Sequence, residues 1–216
     1  MQKKKSLIAL GLTAALLLTL FASCGKKGYS FGTDEKGRTM NEKTGVVYLI
    51  APDCYGPLAV EEEVFGTSGS NVYYALQGVD PAKWLYGKLG MLFYAEDVTL
   101  PTLEQMNISR IALLSTDGSP VGEIKDEAVI REAVQGYAQG ENEPYSGWIV
   151  PLTKHILRFE DASLGIYYEV NYLEYQGKSE GERVAYLYCR GEKRFVAVGD
   201  SLRTAVTAII GAEETE

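Results

Sequence analysis

"GIYYEVNYLEY", residues 165–175, decides how the second half of the chain is read. Ile166, Tyr168, Val170 and Tyr172 recur at every second position, so an extended strand sets all four on one face. "KHILRFE" (154–160) precedes it, and "RVAYLYC" (183–189) and "RFVAVG" (194–199) follow. In "RVAYLYC", Val184, Tyr186 and Tyr188 alternate with Ala185 and Leu187. The connections "QGKSEGE" and "RGEK" are rich in glycine and charge, as hairpin loops are. The four segments therefore predict an antiparallel meander.

Working outward, "DEAVIREAVQGYAQG" (126–140) places Val129, Ile130, Ala133, Val134 and Tyr137 at helical spacing on one face. Asp126 can cap it, and Gly140 is a plausible stop. "SLRTAVTAIIG" predicts a last helix from an Asp200 cap to a Gly211 stop, with Leu202, Ala205, Val206, Ile209 and Ile210 inward. "ISRIALL" (108–114) is a strand that ends at the turn "STDGSP". Two amphipathic helices on one face of an antiparallel sheet would bury every apolar stripe. The expected class is α+β.

The first half is less regular. "VVYLIA" (46–51) reads as a buried strand, broken by "PDCYGP". "LAVEEEVFG" (58–66) and "NVYYALQG" (71–78) read as a hairpin across "TSGS". Asp80 and Pro81 open an expected helical turn over "AKWLYGKLG", with Trp84 and Leu85 inward. "MLFYAEDV" is a further strand, and "LPTLEQMN" a turn or a one-turn helix. The expected plan is an N-terminal β-rich part over 46–107, a C-terminal β-α-β-β-β-β-α part over 108–211, and an acidic tail over 212–216.

The amino terminus speaks about location. Lys3, Lys4 and Lys5 precede seventeen uncharged residues, "SLIALGLTAALLLTLFA", and then Ser23 and Cys24. That is a basic n-region, an apolar core and a small-residue exit. Phe21, Ala22, Ser23 and Cys24 resemble the lipobox of bacterial lipoproteins, whose first position is most often Leu. The resemblance covers residues 1–24 alone. It implies cleavage after residue 23 and a diacylglycerol on the Cys24 thiol, a membrane anchor that two acyl chains make stable. The alternative is an uncleaved signal anchor. Gly25 stands where Asp would signal inner-membrane retention in that family. "GKKGYSFGTDEKGRTMNEKTG" follows, and residues 24–45 read as a flexible tether that sets the body about 25 Å from the membrane.

Removing residues 1–23 takes the formal net charge from −8 to −11. So acidic a chain argues against nucleic-acid partners. Its expected partners are the membrane, through Cys24, and an extracytoplasmic protein or small molecule. Fifteen Tyr against six Phe suit sheets with one wet face, and also binding surfaces.

Catalytic and metal signals are sparse. His155 is the single histidine and has no local metal-ligand spacing. No P-loop, G-x-G-x-x-G or H-E-x-x-H occurs. Glu61, Glu62 and Glu63 read as solvated. No catalytic residue, metal site or cofactor is assigned. Cys54 and Cys189 are candidates for a disulfide, or else two buried thiols. Trp84 and Trp148 are candidates for a ligand-stacking platform. The expected function is a noncatalytic binding or interaction module; the alternatives are a carbohydrate or small-ligand binding protein and a carboxylate-dependent envelope hydrolase.

Overall fold

The structure is a computed structural model and describes residues 28–145, 149–179 and 181–213. The expected signal peptide, Cys24 and Trp148 lie outside these residues. The chain first forms β1 (Tyr29–Thr33), β2 (Thr39–Asn41), β3 (Val47–Ile50) and β4 (Tyr55–Pro57). Then come β5 (Val60–Ser68), β6 (Asn71–Leu76), β7 (Trp84–Gly87) and β8 (Met91–Ala95). All of these except β4 close into a barrel in the order β1-β2-β3-β8-β7-β6-β5. Its seam is the one parallel pairing among the described residues, Tyr29 against Gly66 and Ser30 against Thr67. A side chain at Gly66 would collide there with Phe31 and with the Tyr29 carbonyl. Phe31, Tyr48, Tyr73, Leu85, Phe93 and Ala95 form the barrel's own cluster.

A second antiparallel sheet contains β9 (Arg110–Leu114), β10 (Pro120–Ile124), β11 (Thr153–Asp161), β12 (Ile166–Gln176), β13 (Arg183–Cys189) and β14 (Arg194–Ala197). Their order is β10-β9-β11-β12-β13-β14, and β4 leaves the barrel to pair with β12. Helix α1 (Glu127–Gln139) and helix α2 (Asp200–Glu213) pack on each other, α1 against β9 and β14 and α2 against β10. One large core joins sheet residues such as Leu157, Phe159 and Tyr172 to barrel-strand residues Leu76, Trp84 and Leu92.

The α+β expectation is therefore corrected. The fold is mainly β: a closed seven-stranded barrel beside a second antiparallel sheet, with two short α-helices and a one-turn 3-10 helix at Leu103–Gln105, within the expected turn "LPTLEQMN", among the described residues. Barrel closure depends on β1 meeting β5 across some thirty-five residues of chain, and no local pattern encodes that contact.

Residues 28–45, read as tether, supply β1 and β2, and Phe31 and Asn41 are buried. Their polar residues make turns rather than solvated linker. Asp34 accepts from the Lys36 and Arg38 backbone N–H groups, and Asn41 from those of Lys43 and Thr44. The helical turn expected over "AKWLYGKLG" is strand β7 from Trp84, with Asp80 and Pro81 leading into it. Strands β4 and β10 depart from the expected plan: each contains a Pro and a Gly, which read as turn signals in sequence. Helix α2 runs on past Gly211 to Glu213.

Candidate functional site

The meander has two unlike faces. In β12 the side chains of Ile166, Tyr168, Val170 and Tyr172 are buried toward the core, as their spacing requires. Tyr175 has the opposite parity. Cross-strand partners share a face, and the register sets Tyr175 opposite Val184, Leu173 opposite Tyr186, and Tyr188 opposite both Asn171 and Phe195. These residues line the outer face.

The segment after α1 lies over that face. Arg194 fixes where it starts: its guanidinium donates to the carbonyls of Tyr137, Ala138 and Gly140 at 2.7–3.0 Å, holding the carboxyl end of α1, where a cation is favoured. Asn142 Oδ1 then accepts from the Phe195 N–H at 2.7 Å, and the Glu143 N–H donates to the Phe195 carbonyl at 2.8 Å. Beyond residue 148, the Leu152 N–H donates to the Glu174 carbonyl at 2.7 Å.

The result is a continuous row of rings. Tyr186 stacks on Phe195 with centroids 4.2 Å apart and planes 15° apart. Tyr145 stacks on Tyr188 at 4.2 Å and 16°, and meets Phe195 edge-on at 5.3 Å. Tyr175 closes the row at 6.0 Å from Tyr186. Beside it opens a groove of about 490 Å³, walled by Tyr175, Tyr186, Phe195 and Ile149. Glu143, Gln176, Lys178 and Glu182 add polar groups to its lining. Tyr145 is 45 % exposed and Ile149 60 % exposed, while Val150 and Leu152 extend the apolar surface. Burial and the nearby Glu143 carboxylate push the Tyr186 phenol above its ordinary pKa, so it stays a neutral donor. The polar lip is firm: Gln176 Nε2 donates to the carbonyls of Ser179 and Glu182, and the Ser179 N–H donates to Glu182.

A larger concavity, about 630 Å³, lies between the Met106–Ser109 segment and α1. Its walls are mostly glutamate, lysine, arginine and short aliphatic side chains, with no aromatic ring. The aromatic groove is the better candidate, because ligand sites combine apolar walls with a few placed polar groups.

The residues singled out from sequence divide clearly. Trp84 is 3 % exposed inside the shared core, so it cannot be a stacking surface. Trp148 falls outside the described residues. Cys54 and Cys189 are both buried and both free thiols. His155 stands directly across from Tyr172 in the β11–β12 pairing, and His155 Nδ1 and the Tyr172 hydroxyl have no hydrogen-bond partner. Among the described residues no cluster of His, Cys, Asp and Glu could hold a metal ion. Glu61 and Glu62 are exposed on β5.

Two G-x-S-x-G matches occur, Gly28–Gly32 and Gly177–Gly181. The first runs along β1 and the second lies in the β12–β13 connection. Neither sits at the strand-to-helix turn that makes such a serine a nucleophile.

Tyr145, Tyr175, Tyr186 and Phe195 are not singled out as site residues by the sequence. Their signal was present in the parity of Tyr175 against Ile166–Tyr172 and of Tyr186 against Leu187. Sequence does not say which stripe the helices cover. No protein-family model, curated protein or solved structure matches the chain. Among the described residues no helix is long and apolar enough to cross a membrane.

Proposed function

We propose that the protein is a noncatalytic binding module, held at the extracytoplasmic membrane face by a lipid on Cys24, whose ligand site is the aromatic groove on the outer face of the meander. The observation that carries the reading is the row Tyr175–Tyr186–Phe195–Tyr145–Tyr188, beside a groove with polar groups on its lip.

The chemistry favours a carbohydrate. A sugar ring presents a flat C–H face to an aromatic ring and hydroxyls around its rim. Tyr175 and Tyr186 offer ring surface, while Glu143, Glu182, Lys178 and Gln176 offer acceptors and donors. The lipobox motivates the location, and the mass of the protein extracted from membranes tests it. A mass for residues 24–216 plus diacylglycerol supports the anchor, and one retaining the leader without lipid refutes it.

The ligand reading is tested by calorimetric titration with soluble oligosaccharides of glucose and of N-acetylglucosamine. Binding should weaken at least tenfold in Tyr186→Ala and stay unchanged in Glu61→Gln on the barrel. Hydrolysis of those sugars, lost on substituting a single carboxylate, would favour the hydrolase instead.

A further inference from the structure

Strand β12 carries two neighbours on one edge. Strand β13 pairs along it from Gln176 to Asn171, with Tyr188 opposite Asn171. Strand β4 takes over farther along, with Tyr55 opposite Tyr168, Gly56 opposite Tyr167 and Pro57 opposite Ile166. The two strands therefore meet end to end. Cys189 is the last residue of β13, and Cys54 is the residue before β4. Between them the Glu169 N–H donates to the Cys54 carbonyl at 2.6 Å. Both cysteines belong to the same core cluster, 4 % and 1 % exposed. The chain around Gly191 packs close to Pro52, Asp53 and the Cys54 sulfur, which brings the β13–β14 turn onto the Cys54 loop.

We propose that Cys54 and Cys189 are a covalent cross-link site, joined as a disulfide that fastens the loop leaving the barrel to the end of the meander. The register places the two cysteines end to end along the same edge of β12, Cys54 by the bond of its carbonyl to the Glu169 N–H and Cys189 next to Tyr188, which faces Asn171.

The exchange balances with a disulfide-bearing oxidant of the glutathione class. The thiolate of one of the two cysteines attacks one of its sulfurs, forming a mixed disulfide and releasing a thiolate. The other cysteine then attacks the protein sulfur of that mixed disulfide, forming the Sγ–Sγ bond and releasing the second thiol. Two S–H bonds are lost, and the oxidant gains two electrons and two protons. Since both sulfurs are buried in the folded chain, the bond forms as the chain folds and is afterwards shielded from reductants.

This inference stands apart from ligand binding and from export, and it is tested on the purified full chain in detergent. The chain is unfolded and reduced, then refolded in a buffer of oxidised and reduced glutathione. It is alkylated in denaturant without further reductant and weighed. The expected product carries no alkyl group on Cys54 or Cys189, whatever Cys24 carries, and peptide mapping finds Cys54 linked to Cys189, two hydrogen masses lighter than the dithiol. Alkyl groups on both Cys54 and Cys189, or glutathione left on either, would overturn the proposal. As a second reading, reduction in denaturant should lower the melting temperature of refolded wild type by several degrees. It should leave the Cys54→Ala/Cys189→Ala variant unmoved, and an equal shift in both proteins would also overturn it.

Discussion

The barrel and the meander solve the same problem in different ways. In the barrel, short strands close on themselves, so it has neither free edge nor open face. Its cluster is four aromatic rings with Leu85 and Ala95. The meander is open, and its helices cover only one face. The other face keeps Tyr175, Tyr186 and Tyr188 half-exposed under a short strap. The difference teaches where binding can arise. A closed barrel spends its aromatics on packing, whereas an open sheet can display them.

The comparison breaks first if the barrel's rings are not structural. Phe93→Ala removes a ring that meets Tyr73 edge-on at 5.4 Å, and should cost about 3–5 kcal/mol in urea unfolding. Tyr186→Ala, on the half-exposed face, should cost well under half of that while removing binding. A similar loss of stability in both would erase the distinction.

Closure of the barrel is the next place to press. Gly66→Ala forces a methyl group against Phe31 and the Tyr29 carbonyl at the parallel seam, and should destabilise by about 1–3 kcal/mol. Gly136→Ala, at an open position on α1, should not destabilise and serves as the control.

A smaller effect sharpens the account of the covered face. Asp126 accepts from the Ala128 and Val129 N–H groups at the start of α1, so Asp126→Ala should cost about 1 kcal/mol by thermal unfolding.

The smallest effect concerns the β9–β10 turn. Asp117 is fully exposed, and hydrogen bonds from Ser115 and Ser119 lower its pKa from 3.8 to about 2. A depressed carboxylate stabilises the fold above its unfolded pKa, and that contribution fades as pH falls from about 4 through about 2. Titration of the Asp117 carboxyl by NMR should show the low value in the folded chain. A midpoint near 4 would contradict the turn geometry.

The second sheet was more legible than the barrel for a physical reason. Strands such as β12 are long and bury one face, so Ile166 to Tyr172 announce themselves by period. The helix α1 is likewise marked by its Asp126 cap and by the spacing of Ile130, Ala133 and Tyr137. Of the barrel strands, β3, β5, β6 and β8 are legible as apolar or β-branched runs, whereas β1 and β2 are short and lie among glycines and charged residues. "WLYG" resembles a helical turn after Asp80 and Pro81, yet Trp84 and Leu85 point to opposite sides. Trp84 enters the shared core and Leu85 the barrel. That alternation is what a strand does and what a helical turn would not do.

The candidate site was legible only in part. Val184, Tyr186 and Tyr188 stand out as a stripe, but choosing the wet stripe requires knowing where α1 and α2 pack. Trp84 drew attention because tryptophan is a strong stacking residue, and burial removes it from consideration.

The central claim is that the outer face of the meander binds ligand while the barrel does not. The most direct measurement is backbone amide NMR of the isotope-labelled full chain in detergent, titrated with the soluble glucose and N-acetylglucosamine oligosaccharides. The account expects the shifted amides to cluster at Glu143, Tyr175, Lys178, Glu182, Tyr186 and Phe195. Shifts confined to the barrel strands β1–β3 and β5–β8, or none with any of these sugars, would contradict it.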